Sequence, residues 1–391
     1  METKSSDSKP PTSSDHHQPS RITRRRIQTP ASAAAAAAFP EELIEEILSR
    51  LPVNSLLKFR SVSKSWRALI SDKKFISAHL KNSSKNTNFT LRRIISTIIL
   101  PYYTLKHCSL HSLLSGPLTN AVDSDYPMKN PQNSVRIVGC CNGLVCIAVN
   151  GKHFFIWNPS TKKYKKLPDV DDFIEQGLFI TKYGFGFDES NDDYKVVGIL
   201  SGFCNRDRYE TMVKVYSLRT NSWKRIDVFN DGLPFDDTAK FVSGKLHWGK
   251  RNGSNSKWDI VSFDLASGVC GNVARPSYVE TDFSPSLGVL GGCLCVLSNS
   301  RKSSVDVWVM KEYGVSESWT KIVTVPYLDV PWEGPYSTPL CVGSNGEILL
   351  MYGSNLMIYS PRDNRFRRPK IRNFGAFLEA DVYCESLVPL V

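Results

Sequence analysis

The feature that most constrains the fold is a repeat of about 50 residues that runs through most of the chain. Every unit holds a tight turn between strand-like runs, at Asn142-Gly143, Asn191-Asp192-Asp193, Ser243-Gly244, Gly291-Gly292 and Asn345-Gly346. Asparagine and glycine tolerate the positive φ that two-residue hairpins need. Short antiparallel strands repeated in this way predict a β-propeller, in which neighbouring sheets cover each other's faces.

Aromatic residues and the two ends of the repeat region support this interpretation. Three units carry aromatic residues seven positions apart, namely Trp157 with Tyr164, Tyr216 with Trp223, and Tyr359 with Phe366. Strand candidates at 89–100 and 377–388 lie outside the five units. Pairing of these two segments would close the ring as a mixed blade and give about six blades. An open sandwich is the main alternative.

Before the repeats, residues 39–70 show helical periodicity instead. An apolar stripe on the first predicted helix comprises Leu43, Ile44, Ile47, Leu48 and Leu51. Pro40 suits the first turn of this helix, and Pro52 ends it because the residue before a proline avoids the α region. Asn54 is the predicted cap of a second helix that carries Leu56, Leu57 and Phe59. A third stripe holds Val62, Trp66, Leu69 and Ile70.

Three helices of this length are too small to bury all of their apolar stripes among themselves. Burial of one large aliphatic side chain stabilises by roughly 1.5–3 kcal/mol, so an uncovered stripe favours a partner. Two interpretations remain open on periodicity alone. Either the helices dock on another protein, or they pack on the rest of their own chain.

The order of residues in this stretch resembles the F-box, the module by which substrate receptors dock on the Skp-type linker of cullin–RING ubiquitin ligases. The resemblance is carried by the Pro-x-Glu-Leu opening, the Ile-Leu-Ser-Arg-Leu-Pro turn and the Phe-Arg-x-Val-x-Lys-x-Trp close. Phe39 replaces the usual leucine, and Ser63 stands where most relatives have cysteine. The resemblance implies a linker-binding surface formed or supported by Pro40, Leu43, Ile44, Ile47, Leu48, Leu51, Pro52, Leu56, Leu57, Val62 and Trp66.

The remaining chain resembles the F-box-associated domain of plant F-box proteins of the kelch-repeat type. The resemblance rests on the stretches 139–144, 156–161, 183–188, 193–197, 215–218, 244–248 and 307–313. We therefore predict an α+β multidomain protein, with a small three-helix F-box followed by an all-β propeller-like domain. The predicted units are a disordered segment at 1–38, an F-box at 39–85 and a propeller-like substrate-binding domain at 86–391.

Composition and charge agree with an intracellular adaptor. The net charge of +11 is spread along the chain, with six basic and three acidic residues in 1–38 and nine and five in 39–85. The basic cluster at 362–372 is interpreted as solvated turns and strand ends, so we expect no nucleic-acid partner. No apolar run is long enough for a membrane span, and no membrane partner is expected. Ten cysteines without C-x-x-C pairs predict reduced thiols in the cytoplasm, the nucleus or both.

No motif in the sequence indicates catalysis. The seven histidines have no metal-ligand spacing, there is no P-loop, and Gly184-Phe185-Gly186 lacks the third glycine of a dinucleotide site. We expect no catalytic, cofactor-binding or metal-binding residues. The predicted function is that of a non-catalytic receptor, which docks to the Skp-type linker, and through it to the cullin–RING ligase, and presents an unknown protein substrate. The alternatives are an F-box scaffold outside the ligase and a propeller that binds glycans.

Overall fold

The computed structural model describes residues 40–86, 88–169, 178–204, 208–226, 234, 236–251, 258–277, 285–300, 304–327 and 336–390. The segment 1–38, predicted from the sequence to be disordered, lies outside the described residues, as does Phe39. No helix within the described ranges has the length and apolar character required to cross a membrane.

Four helices open the described chain: α1 (Glu41–Leu48), α2 (Val53–Phe59), α3 (Lys64–Ser71) and α4 (Lys73–Lys85). The predicted cap at Asn54 is wrong, because α2 begins at Val53 and Pro52 occupies the N-cap position without a side-chain hydrogen bond. The fourth helix was not predicted. It starts almost directly after α3 because the Asp72 carboxylate accepts hydrogen bonds from the backbone amides of Lys74 and Phe75, at 2.8 and 3.2 Å.

The rest of the described chain is almost entirely β structure. Its strands are β1 (Arg92–Ile98), β2 (Thr104–Ser109), β3 (Thr119–Asn120), β4 (Val122–Asp123), β5 (Val135–Cys141), β6 (Leu144–Val149), β7 (His153–Asn158), β8 (Lys163–Lys166), β9 (Leu178–Asp188), β10 (Asp193–Cys204), β11 (Arg208–Ser217), β12 (Ser222–Ile226), β13 (Lys240–Val242), β14 (Lys245–Arg251), β15 (Trp258–Asp264), β16 (Cys270–Val273), β17 (Ser286–Leu290), β18 (Cys293–Ser300), β19 (Ser304–Met310), β20 (Trp319–Pro326), β21 (Tyr336–Val342), β22 (Ile348–Tyr352), β23 (Asn355–Ser360), β24 (Arg365–Arg367), β25 (Ile371–Arg372) and β26 (Phe377–Cys384). A short helix, α5 (Leu110–Ser115), follows β2, and a 3₁₀ turn covers Ser316–Ser318.

These strands form a six-bladed β-propeller, as the sequence predicts. Blade 1 has the strand order β26-β1-β2-β4, and blades 2 to 6 are β5–β8, β9–β12, β13–β16, β17–β20 and β21–β24. The strands β26, β5, β9, β13, β17 and β21 contact one another in a closed cycle around the ring axis. A small parallel pair, β3 with β25, joins the outer parts of blades 6 and 1.

The glycine turns of the sequence connect the first two strands of their blades. Asn142 and Gly143 both have positive φ, 52° and 78°, as a two-residue hairpin requires. Gly143 is also close to the Ser386 side chain, so any larger residue would collide with it. The seven-residue aromatic spacing has a structural reason too. It places the two rings opposite each other on neighbouring strands, as with Tyr359 and Phe366, whose centroids are 4.8 Å apart.

Ring closure combines the two ends of the repeat region. β26 pairs antiparallel with β1 from Arg92 opposite Cys384 to Ile98 opposite Phe377, which confirms the predicted pairing of 89–100 with 377–388. The strand ends at Cys384, earlier than predicted. The chain beyond it is held by Asn158, whose side-chain amide donates to the carbonyl oxygens of Ser386 and Val388 at 3.1 and 2.9 Å.

The described core consists of six apolar clusters, each located between two neighbouring blades. Five of them contain propeller residues alone, including the one that joins blade 6 to blade 1 around Phe377. The cluster between blades 2 and 3 also contains residues of α2, α3 and α4. The helical segment and the propeller therefore share one continuous core.

Candidate partner-binding site

The apolar stripe of α1 divides into two pairs with opposite environments. Ile44 and Leu48 face inward, where Leu48 is buried and Ile44 packs on the core between blades 2 and 3. Leu43 and Ile47, one residue earlier in each turn, are 50% and 55% exposed. Because residues four apart lie on the same face of a helix, the exposed pair forms a small apolar surface along the outer side of α1.

The helices α2 and α3 pack most of their apolar side chains inward, with one exposed apolar side chain in the turn between them. Val62, in the turn between them, is 61% exposed. Trp66 contacts Phe59 edge to face at a centroid distance of 5.5 Å and is half-buried. Ser63 caps α3, since its hydroxyl accepts a hydrogen bond from the backbone amide of Trp66 at 3.0 Å. The serine that departs from the F-box pattern thus has a defined role at a helix start.

The predicted linker-binding residues fall into three groups. The exposed ones are Pro40, Leu43, Ile47, Pro52 and Val62, the partly buried ones are Ile44, Leu51, Leu57 and Trp66, and the buried ones are Leu48 and Leu56. Only the first two groups can touch a partner without rearrangement. Leu48 and Leu56 can act only by holding the helices that carry the others.

The fourth helix fixes the turn between α1 and α2. His79 is fully buried, and its Nε2 atom lies 2.9 Å from the carbonyl oxygen of Leu51. Burial lowers the pKa of His79, so the neutral ring is the favoured form. Asn82 donates from its amide to the Ser49 hydroxyl at 3.0 Å. These two contacts hold the loop between α1 and α2 against α4, and with it the exposed apolar surface.

The helices are anchored on the propeller by apolar burial rather than by ion pairs. Leu56, Ile70 and Phe75 are fully buried in the cluster that also contains Leu387 and Val388 from the chain after β26. An ion pair of 3.2 Å joins Lys73 of α4 to Asp192 in the turn between β9 and β10, but both side chains are largely exposed. Exposed pairs contribute little, typically below 1 kcal/mol, so the shared core dominates.

At the centre of the propeller, charged side chains form hydrogen bonds and ion pairs that connect neighbouring blades. Glu379 of β26 accepts hydrogen bonds from the Ile137 amide at 2.7 Å and from the Arg136 guanidinium at 3.3 Å. Arg136 also lies 3.6 Å from Asp237, which pairs with Lys182 at 2.8 Å. Burial raises the pKa of Glu379, while Arg136 opposes that shift. The contacts join blades 1, 2 and 3 with the chain that enters blade 4.

No group of three or more histidine, cysteine or acidic side chains within the described ranges is arranged to hold a metal ion. The thiols Cys293 and Cys295 pack in the apolar cluster between blades 5 and 6. The surface presents exposed apolar side chains on a rigid base.

Two family models match the chain: the F-box domain at residues 38–77 and the F-box associated beta propeller domain at residues 99–387. The chain belongs to this family of F-box proteins. A relative from Arabidopsis thaliana, an F-box/kelch-repeat protein, is 33% identical over 89% of this chain and 95% of its own length. The F-box protein CPR1 of the same plant is 29% identical over 90% of this chain and 89% of its own length.

Several residues that shape this F-box protein were not found from the sequence. The caps Ser63 and Asp72 had a signal, because each is a good N-cap residue directly before a helical stripe. Glu379 and Asn158 had none, since their partners lie 242 and about 230 residues away in the chain. The division of the α1 stripe into an inner and an outer pair depends on where the propeller lies.

Proposed function

We propose that this F-box protein is the non-catalytic substrate-recognition subunit of a Skp–cullin–F-box ubiquitin ligase. The F-box docks on the Skp-type linker, and the propeller presents a protein substrate for ubiquitination and degradation. The observation that carries this proposal is the exposed apolar pair Leu43 and Ile47 on α1, a helix whose opposite side packs on the propeller core. The family membership supports the same role.

The physical argument is that such a surface is already preorganised. A rigid base removes part of the ordering cost that a flexible helical segment would have on binding. Large apolar side chains exposed together on one face are unfavourable in water and become favourable when a partner covers them. We also propose that the protein works in the cytoplasm, the nucleus or both, which the free cysteines among the described side chains support.

The test uses the full chain with Leu43→Gln and Ile47→Gln together, and the linker protein as the binding partner. Interface anchors of this kind commonly cost about 2 kcal/mol each on truncation, or roughly 30-fold in affinity. We expect at least that loss of linker affinity in a titration, with an unchanged melting temperature because neither side chain is buried. Val269→Gln, an equally exposed apolar site at 60% on the propeller, is the matched control.

Undiminished linker binding by the double variant would refute the assignment of this surface. Recovery of cullin with the wild-type protein, and its loss with the variant, supports the ligase role. Recovery of the linker without cullin would instead favour a scaffold outside the ligase.

A further inference from the structure

An exposed apolar hairpin lies at the end of blade 1 that is distant from the F-box. It connects β1 to β2 and contains Leu100, Pro101, Tyr102 and Tyr103. Leu100 is 61% exposed and Tyr102 is 43% exposed, so the apolar side chains at the tip of the hairpin are open to solvent. Four consecutive large or rigid side chains at an exposed tip are unusual for a loop that only connects two strands.

The position of this hairpin follows from the direction of β1. The Arg92 end of β1 lies next to α4, where the Arg92 guanidinium donates to the carbonyl oxygen of Ser84. The Ile98 end leads into the hairpin. Seven residues of strand at roughly 3.3 Å each separate the two ends by about 20 Å. A partner bound at the hairpin would therefore leave the F-box helices free.

A groove of about 1020 Å³ runs beside the hairpin. Leu100 and Val122 provide apolar wall, and Val122 is 55% exposed. Lys106 and Asp123 form an ion pair of 2.9 Å in its lining, and Lys129 lies 3.8 Å from the same carboxylate. The pKa of Asp123 is lowered, chiefly because its carboxylate accepts a hydrogen bond from Lys106. The carboxylate therefore stays ionised, and two lysines balance its charge.

A run of basic residues leads into the groove. Arg368, Lys370 and Arg372 are exposed, and none of them has an ion-pair partner in the described part of the chain. Arg367, in the same run, differs because it pairs with Glu347 at 2.9 Å. Arg372 belongs to β25 and lines the groove itself. The surface therefore combines an apolar wall with cations that nothing in the described structure neutralises.

We propose that this groove binds an extended acidic segment of the substrate, with one aromatic or aliphatic side chain of that segment against Leu100, Tyr102 and Val122. The proposal rests on the receptor role proposed above and specifies the chemical character of the substrate segment that the propeller binds. Charge complementarity selects the occupant, since Arg372 and Lys370 attract carboxylates and the apolar wall accepts the anchor.

Other occupants fit this charge less well. The protein's own segment 1–38 carries six basic and three acidic residues, and a second copy of the chain would present the same cations. Both would meet like charge. A nucleic-acid strand needs a cationic track for successive phosphates. The groove lining itself contains Lys106 and Arg372, and Lys106 is already engaged by Asp123. Counting Lys370 beside the groove, two cations that are unpaired in the described structure suit a few carboxylates better than a long series of phosphates.

The experiment uses the full chain and a fluorescein-labelled peptide in which one phenylalanine lies between two runs of aspartate. Fluorescence anisotropy at physiological ionic strength measures its affinity. We expect Lys370→Glu with Arg372→Glu to weaken binding about tenfold or more, since two attractive contacts become repulsive. Leu100→Ser with Val122→Ser should produce a similar loss.

The control variant is Arg362→Glu with Arg365→Glu, at the other end of the same basic run. It reverses two exposed cations that have no ion-pair partner among the described residues. We expect this variant to change the affinity by less than about threefold, because screening limits charges beyond a Debye length of about 8 Å. A peptide with alanine in place of phenylalanine should bind at least about tenfold more weakly, which corresponds to the lost burial of one aromatic ring.

Equal losses from the two charge-reversal variants would overturn the groove, as would equal affinity for the alanine peptide or no binding by the wild type. Tighter binding of a single-stranded oligonucleotide, lost in the Lys370→Glu and Arg372→Glu variant, would assign the surface to nucleic acid instead. Linker binding measured on the same samples separates the two proposals. Intact linker binding without peptide binding removes the groove alone. Peptide binding without linker binding removes the receptor role and leaves the groove as a site for acidic peptides.

Discussion

The apolar interface between blades 2 and 3 differs from the one between blades 6 and 1, although both are formed by facing strands. The first continues into the F-box, where Leu56 and Phe75 lie in the same cluster as Val138 and Phe185. The second is confined to the propeller and closes the ring around Phe377. One interface therefore positions the proposed linker-binding surface, and the other holds the ring together. Substitutions in the two interfaces are therefore expected to differ in their effects on linker affinity and on the stability of the ring.

Removal of the closing strand should have the largest effect. Deletion of residues 377–391 takes away β26, so blade 1 loses its innermost strand and β1 loses one of its two partners. The deletion also removes Glu379, which accepts a hydrogen bond from Ile137 of blade 2, and the segment that is hydrogen-bonded to Asn158. We expect an insoluble protein, or one without a cooperative melting transition in calorimetry, because the exposed strand edges and apolar faces promote aggregation.

Leu378→Ser is the control for that deletion, since Leu378 lies on β26 but is 44% exposed. Its melting temperature should stay close to that of the wild type. A soluble deletion variant with an unchanged melting temperature would show that β26 does not close the ring.

A pair of core truncations compares the two interfaces directly. Leu56→Ala should lower the free energy of unfolding by about 2–5 kcal/mol and Phe377→Ala by about 3–5 kcal/mol, because both side chains are fully buried. Only Leu56→Ala should also weaken linker binding, since α2 is part of the base under Leu43 and Ile47. Chemical denaturation and a linker titration on both variants test this. Equal loss of linker affinity in the two variants would show that the interfaces are not separate in function.

Much of the propeller could be predicted from the sequence because its signals are local. The turns at Asn142-Gly143 and Ser243-Gly244 mark hairpins whose strands are neighbours in the chain, and the aromatic spacing follows from the same hairpins. Even the pairing of β1 with β26 was predicted, since both segments remained without a partner after five units were assigned. The resemblance to the F-box identified the eleven residues of the predicted linker-binding surface, whose role in binding stays a prediction.

The rest depended on distant contacts. Periodicity placed Leu43 and Ile44 in one stripe, whereas the propeller core covers only the second of them. The sequence left open whether the helices dock on another protein or on their own chain. In the structure one face of α1 packs on the chain and the other is uncovered. Asn54 was chosen as a cap because it is a good cap residue, but Pro52 occupies the N-cap position and the helix starts two residues earlier than predicted.

The smallest expected effect concerns a third interface, between blades 4 and 5, which depends on a polar contact. The His247 ring is fully buried, with Nδ1 3.0 Å from the Lys240 carbonyl oxygen and Nε2 2.8 Å from the Tyr313 hydroxyl. Burial lowers its pKa to about 4, whereas an unfolded histidine titrates near 6.5. Between these values the unfolded chain binds the extra proton, so this group reduces stability as the pH falls from about 6.5 towards 4.

At pH 5 this contribution amounts to about 2 kcal/mol relative to pH 8. In His247→Gln the loss of melting temperature between pH 8 and pH 5 should therefore be smaller than in the wild type, even if the variant is less stable at both values. His111→Gln, at an exposed position, is the control and should keep the wild-type dependence. An unchanged pH dependence in His247→Gln would contradict the assignment.

The place of β26 in blade 1 has a consequence for how the protein is made. This strand is translated after all the other described strands, yet it lies innermost in the first blade. Blades 2 to 6 can form their hairpins as they leave the ribosome. Ring closure and the contacts of Glu379 with blade 2 form only after residues beyond 376 have been translated. A chain that stops early would keep its F-box residues but lack the closed propeller. Ring closure, and the packing of Leu387 and Val388 beneath the F-box, can therefore occur only after the last described strand has been translated.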